Sequence, residues 1–387
     1  MKKIYIIAGE ASGDKLGAGL MRALKDLYKK EVRFYGAGGP LMTAEGLQSL
    51  FPISQISLMG FFEVLPHIFE IKKIIADTVT DIIKTEPDIV ITIDSPGFNF
   101  RVAKALRDTN PKFKLVHYVA PSVWAYKEER AVKCAAIFDH MLALFPFELP
   151  YFEKVGLDIT CVGHPIFDFD YDKLRKPAFR LKHNIEPDKK LICITPGSRK
   201  GEIARHMPIL LRVVGALARE YEGLVVGIPA PSLEIANYIK SLIGTTQQKF
   251  IIVLSDEDKM NLYKAADLAL AKSGTNTLEI SACSTPQIVF YKLNIFSWYL
   301  LKLMIKVKFA SIINIVAGRE IIPELLQSNF TTEALYSKAK EYLQDKKIRD
   351  KQLADAEKVL VELGFRKKES SSAIAARAVR DILEERV

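Results

Sequence analysis

The stretch DIVITIDSPGFNF (88–100) decides how the chain is read. Residues 89–93 form an apolar run of strand length without polar alternation, as expected of a strand buried on both faces. Pro96-Gly97 breaks the run, and Phe98 to Arg107 then has helical character. The strand therefore delivers an acid, Asp94, into a Ser-Pro-Gly turn. In an open parallel sheet, ligands bind beyond the carboxyl ends of the strands, so Asp94 is a candidate catalytic residue. The plainer alternative is that Asp94 caps the following helix.

Working outward, the same unit repeats. Apolar runs at 4–8, 32–35, 89–93, 115–119, 141–145 and 159–162 alternate with amphipathic segments. Leu16, Leu20, Leu24 and Leu27 share one helical face. The pattern restarts at 191–195, 224–228, 251–254, 268–271 and 287–290. Alternation of this kind predicts an α/β fold of two doubly wound domains. The expected boundaries are 1–166 for an N-terminal domain, 167–190 for a charged linker and 191–363 for a C-terminal domain. A helical tail, 364–387, follows, with the N-terminal domain as a place to which it returns.

The 387 residues suit two cores, and 49% hydrophobic with 26% charged residues describes a folded globular chain. Cys134, Cys161, Cys193 and Cys283 are far apart, which predicts reduced thiols in the cytosol. The opening MKKIYIIAGEASGD carries an apolar run too short for a signal peptide and reads as a first strand. No apolar stretch reaches the length of a membrane span. The net charge of +9 favours anionic partners. No nucleic-acid motif accompanies it, so nucleic acid is not expected. Asp168, Asp170 and Asp172 imitate an acidic metal motif but read as solvated turn residues, and no metal or cofactor is expected.

Three loops carry candidate chemistry. GEASGD (9–14) follows the first strand but lacks the dinucleotide fingerprint. TPGSRKGEI (195–203) places Arg199 and helix-start amides at a strand end, a good anion site. DLALAKSGTNTLEISA (267–282) opens a helix at Ser273-Gly274-Thr275, with Glu279 one turn on, in reach of ribose hydroxyls. A solvated turn and ordinary capping are the plainer readings of these two. They face the Asp94 loop across a cleft if the domains stack with their strand ends opposed.

The chain resembles the lipid-A-disaccharide synthases, glycosyltransferases of two Rossmann-like domains with a cleft between them (the GT-B architecture). The matching stretches are AGEASGD (8–14), IDSPGFN (93–99), YVAPSVWAY (118–126), FPFE (145–148), VGHP (162–165), PGSRKGEI (196–203), SGTNTLE (273–279) and NIVAGREIIPELLQ (314–327). The resemblance implies transfer of 2,3-diacylglucosamine from its UDP derivative to 2,3-diacylglucosamine 1-phosphate, giving a β-1,6-linked disaccharide with inversion. It implies Asp94 as base and Arg199, Ser198, Ser273, Gly274 and Thr275 on the diphosphate, without a metal. Glu279 would hold the ribose, and Glu10, Ser12 and Gly13 would line the acceptor side. Asn314 and Arg319 belong to the last motif as substrate-binding candidates of underived role. Rivals are another UDP-N-acetylglucosamine-dependent enzyme of this fold, an epimerase or a lipid-acceptor transferase, and a non-catalytic nucleotide-sugar or lipid carrier.

Acylated substrates imply a peripheral site on the anionic cytoplasmic face of the inner membrane. In 58–83, Val64, Ile68, Ile71, Ile75 and Ile82 form a helical stripe, with Leu58, Phe62, Leu65 and Phe69 off it. In 291–309, Phe296, Trp298 and Tyr299 mix with Lys292, Lys302, Lys306 and Lys308, a composition suited to an anionic interface. The plainer readings are a second packing surface for the first and a buried helix with snorkelling lysines for the second. Oligomeric state is left open, a homodimer included.

Overall fold

A computed structural model describes residues 1–29, 31–57, 68–110, 112–294, 298 and 307–384. The chain divides into two compact units, Met1–Asp168 with Arg366–Val387, and Phe169–Phe365.

The first unit is built on a parallel sheet. Its strands are β1 (Lys2–Ala8), β2 (Val32–Ala37), β3 (Gln48–Ser49), β4 (Ile89–Ile93), β5 (Leu115–Tyr118), β6 (His140–Ala143) and β7 (Asp158–Cys161). Their order across the sheet is β3-β2-β1-β4-β5-β6-β7. Every residue of β4 is buried, which is why the run carries no polar alternation. Each such Ile or Val contributes about 1.5–3 kcal/mol through burial. The chain winds outward from β1 to β2 and β3, then crosses back so that β4 pairs in parallel with the other side of β1. That reversal opens a crevice at the carboxyl ends of β1 and β4.

The second unit repeats the plan with β8 (Leu191–Thr195), β9 (Val225–Pro229), β10 (Lys249–Val253), β11 (Leu268–Lys272), β12 (Gln287–Tyr291) and β13 (Glu324–Leu326). The order β10-β9-β8-β11-β12-β13 puts its reversal between β8 and β11. A core of Ile192, Ile194, Leu210, Val213, Val226 and Ile288 fills one face of this sheet.

Two details add to the sequence reading. The segment 167–190, expected as a charged linker, carries regular structure. It contains the helix Lys176–Lys182, with Phe179 and Arg180 buried. The Arg180 guanidinium lies 2.7 Å from Asp267 Oδ2, which ties the segment into the second unit. The triad of acids is also split. Asp168 accepts hydrogen bonds from the amide and hydroxyl of Ser371, at the start of the helix Ser371–Leu383. Asp170 pairs with Lys173 at 3.0 Å. The helix Ser371–Leu383 packs on the helix Ala11–Leu27, and a Cβ at Gly19 would fall 2.5 Å from Ser372 Oγ.

Among the described residues no helix is long and apolar enough to cross a membrane. In the helix Ile68–Thr85, Ile71 and Ile82 are buried while Phe69 is 80% exposed. Leu58, Phe62, Val64, Leu65, Phe296, Tyr299, Lys302 and Lys306 lie outside the described residues.

Candidate active site

In the second unit a pocket of ≈ 430 Å³ sits at the carboxyl ends of β8, β9, β10 and β11, at the crevice the strand order opens. Its polar wall comes from Gly197 and Ser198 after β8, Lys272 ending β11, Gly274 and Thr275 beyond it, and Glu279. Pro229, Ala230, Pro231, Val253 and Leu254 make the opposite, apolar wall. On the polar side Thr195 ties the segments after β8 and β11 together, its hydroxyl oxygen accepting from Asn276 Nδ2 at 2.7 Å.

Gly197 has φ +131°, and a Cβ there would stand 2.8 Å from Glu202 Oε2, so this loop requires glycine. Arg199 takes the N-cap position of the helix Lys200–Glu220 and is exposed. It follows directly on Ser198 but is not part of the pocket lining.

Two lysines that the sequence reading missed do line the pocket. Lys259 pairs with Glu279 at 3.1 Å and with Asp256 at 3.2 Å. Burial would lower its pKa, but these two carboxylates outweigh burial and hold it above the ordinary lysine value. Lys272 pairs with Glu202 at 3.2 Å. Lys272 had a signal, a cation at the end of an apolar run. Lys259 had none, because Glu279, the partner that draws it to the pocket, lies beyond the next strand.

Ser273 is not in the lining, since its hydroxyl donates to Ala310 O at 2.8 Å. Asn314 is fully buried, and both ends of its amide are used inside the chain. Its Oδ1 accepts from Ile321 N and Ile322 N at 2.8 and 2.9 Å, and its Nδ2 donates to Ile322 O and Glu324 Oε1. Glu324 in turn accepts from the amides of Ala310 and Ser311. Asn314 therefore braces the backbone that holds Ser273. Arg319 pairs with Asp355 at 3.1 Å. Neither lines the pocket, so the structure does not place Asn314 or Arg319 with the other site candidates.

In the first unit the loops after β1 and β4 meet. A Cβ at Gly9 would fall 2.4 Å from Ser95 Oγ, and one at Gly13 would fall 3.5 Å from Ile93 O. Glu10 and Ser12 are exposed beside these glycines. Asp14, the last residue of the motif, is buried and accepts from the amides of Gly39, Leu41 and Met42. Its task is to hold the short helix Pro40–Ala44.

Asp94 does not cap the helix Pro96–Thr109, whose N-cap is Ser95. Asp94 and Ser95 both take left-handed conformations, with φ +49° and +46°. Such residues cost about 1–3 kcal/mol each and cluster at functional sites. Asn99 Nδ2 donates to the carbonyls of Ile93 and Asp94 at 2.9 and 2.7 Å, fixing the turn. Burial raises the Asp94 pKa against a backbone hydrogen bond from Ser95 that lowers it, and burial wins. Ser95 Oγ and Asn99 Oδ1 are buried without a hydrogen-bond partner among the described residues.

At the ends of β5 and β6, Glu148 Oε2 accepts from Leu144 N and Phe145 N at 3.1 and 3.0 Å, and Trp124 Nε1 approaches Oε1 at 3.4 Å. Burial pushes its pKa up to about 7. Glu148 and Trp124 sit within motifs visible in the sequence, but their pairing was not.

The comparisons with known proteins agree across the chain. The family model described as Lipid-A-disaccharide synthetase matches residues 4–378. A lipid-A-disaccharide synthase of Rickettsia bellii is 48% identical over 382 residues, covering 98% of this chain and 99% of the relative. Among solved structures, the S. aureus MnaA–UDP co-structure aligns with TM-score 0.63 at 17% identity, over 99% of this chain and 96% of that one. The calicheamicin glycosyltransferase CalG4 aligns with TM-score 0.61 at 14% identity, over 100% and 99%. At such identities these structures establish the GT-B fold and nothing finer. The family match and the relative's identity carry the rest: the chain belongs to the lipid-A-disaccharide synthases, hexosyltransferases that join a nucleotide-sugar donor to a lipid acceptor to form the lipid A disaccharide.

Proposed function

We propose that Asp94 is the general base on the acceptor's 6-hydroxyl and that the pocket of the second unit takes the UDP-2,3-diacylglucosamine donor. The observation that carries this reading is a matched position. Each site lies at the strand-order reversal of its own sheet, one offering a half-buried acid and the other cations and helix-start amides.

Inverting displacement needs one base on the acceptor and stabilisation of charge on departing UDP. Asp94 has the raised pKa that suits a base, held in a turn whose backbone Asn99 fixes. Arg199 and the backbone at Ser198, Gly274 and Thr275 meet the diphosphate, with Ser273 bracing that loop rather than touching it. Glu279 receives the ribose hydroxyls, and Pro229, which ends β9, with Pro231 gives the uracil ring an apolar wall. Glu10, Ser12 and Gly13 border the acceptor, 2,3-diacylglucosamine 1-phosphate. Cationic side chains and amides replace a divalent ion. The exposed Phe69, with 58–67 before it and the basic-aromatic segment 291–309, contacts the anionic cytoplasmic face of the inner membrane.

The test is incubation with acylated donor and acceptor, following disaccharide and UDP, for wild type and Asp94→Asn. Transfer by wild type that Asp94→Asn leaves undiminished would remove Asp94 from the mechanism.

A further inference from the structure

The carboxylate of Glu202 occupies two groups that an anion would seek in the donor pocket. Its Oε1 lies 3.2 Å from Lys272 Nζ, and its Oε2 accepts from Ser198 N at 3.3 Å. Glu202 is the third residue of the helix Lys200–Glu220, from which a glutamate commonly reaches back to amides ahead of the helix. Capping explains the amide and leaves the lysine unexplained. Lys272 ends β11, on the far side of the strand-order reversal, and lines the pocket. Gly197, at φ +131°, leaves no room for a side chain between its loop and this carboxylate. Burial would raise the Glu202 pKa, but Lys272 and the Ser198 amide outweigh it and hold the carboxyl below its ordinary value. A charged carboxylate bridging an ammonium and a helix-start amide is arranged as a bound phosphate would be.

We propose that Lys272 binds the donor's diphosphate, and that Glu202 is an intramolecular stand-in for that diphosphate, holding Lys272 in place while the pocket is empty. This rests on the reading of the pocket as the UDP-sugar site. When the diphosphate enters, two anions share one ammonium. The repulsion between them loosens the hold on UDP, which must leave at every turnover. Lys272 touches the substrate, and Glu202 is a positioning residue that acts through it.

The two residues then have opposite effects on UDP. Binding of UDP and of uridine, which lacks the diphosphate, is measured by calorimetry on the full chain for wild type, Lys272→Gln, Lys272→Arg and Glu202→Gln. UDP affinity is expected to fall about tenfold or more in Lys272→Gln, the loss of a charge-assisted contact. Lys272→Arg, which keeps the charge, recovers most of it. Glu202→Gln keeps a carbonyl oxygen for the amide and removes the competing charge, so it binds UDP several-fold tighter. Uridine binds all four alike.

A purely structural ion pair would weaken UDP binding in both glutamine variants, and that result overturns the proposal. So does unchanged UDP affinity in Lys272→Gln, or loss of uridine binding along with UDP. If wild type bound no UDP, the pocket reading would fail and the proposal with it.

Discussion

Asp94→Asn isolates the proton-transfer step from the fold around it. Asn is among the few residues that tolerate the left-handed region, so φ +49° at this position survives the change. The contacts that shape the turn are to backbone atoms, Asn99 Nδ2 to the carbonyls of Ile93 and Asp94 and the Asp94 amide to Tyr118 O. All of them persist in the variant. What is lost is the capacity to take a proton. A positioned general base is worth about 10²–10⁴-fold, or about 3–5 kcal/mol of barrier at about 1.4 kcal/mol per decade. We expect kcat to fall by at least about a hundredfold, with UDP affinity unchanged because the nucleotide loops belong to the other unit. The pH profile gives a second reading. The base works only when deprotonated, so kcat of the wild type falls as pH drops through the Asp94 pKa. Burial raises that pKa, so the acid limb lies above the value of an exposed aspartate and disappears in Asp94→Asn. The assay is initial-rate release of UDP in mixed micelles of acylated donor and acceptor, run beside calorimetric UDP binding. A folded variant with near-normal kcat would refute the assignment, and so would loss of UDP binding in step with rate.

Arg199→Ala is expected to weaken UDP binding and slow transfer together, by about 2–4 kcal/mol in the transition state. Unchanged affinity and rate would put Arg199 outside the site. Transfer is expected to survive thorough chelation. Abolition by EDTA with recovery on adding Mg²⁺ or Mn²⁺ would mean that a divalent ion shares the work assigned to the cations. Replacing Lys302, Lys306 and Lys308 by glutamine should weaken co-sedimentation with anionic vesicles by roughly 1 kcal/mol per lysine, less as salt rises. Phe296→Ser with Trp298→Ser should lose salt-independent affinity, and wild-type retention by both sets would return 291–309 to the protein interior.

The strands were legible because parallel strands covered on both faces must be apolar throughout. Runs such as 89–93 and 191–195 coincide with β4 and β8 for that reason. The two strands that were missed, β3 and β13, escape the rule. Gln48–Ser49 is exposed, and Glu324–Leu326 is three half-buried residues long at a sheet edge. Charge hid the helix Lys176–Lys182. Its Arg180 reads as a solvated residue until Asp267, on the second unit's β8–β11 side, neutralises it at 2.7 Å. An ion pair across that sequence distance leaves no periodic trace.

The site divides along the same physical line. Asp94, the Gly197 loop and Glu279 announce themselves because a strand end, a forced glycine and a helix start are local events. Asn314 shows what local reading loses. Its motif was specific enough to help identify the family, yet a buried side-chain amide and a substrate-binding one look alike in sequence. Only the partners separate them. With Ile321, Ile322 and Glu324 taking its whole hydrogen-bonding capacity, Asn314 has nothing left to offer a ligand. Glu324 passes the constraint to the amides of Ala310 and Ser311, and Ala310 O receives the Ser273 hydroxyl. An invading carboxylate or a shortened side chain at position 314 would therefore disturb the SGT loop from behind. The motif reaches the Ser273 loop through three hydrogen-bonded steps, without Asn314 or Arg319 lining the pocket.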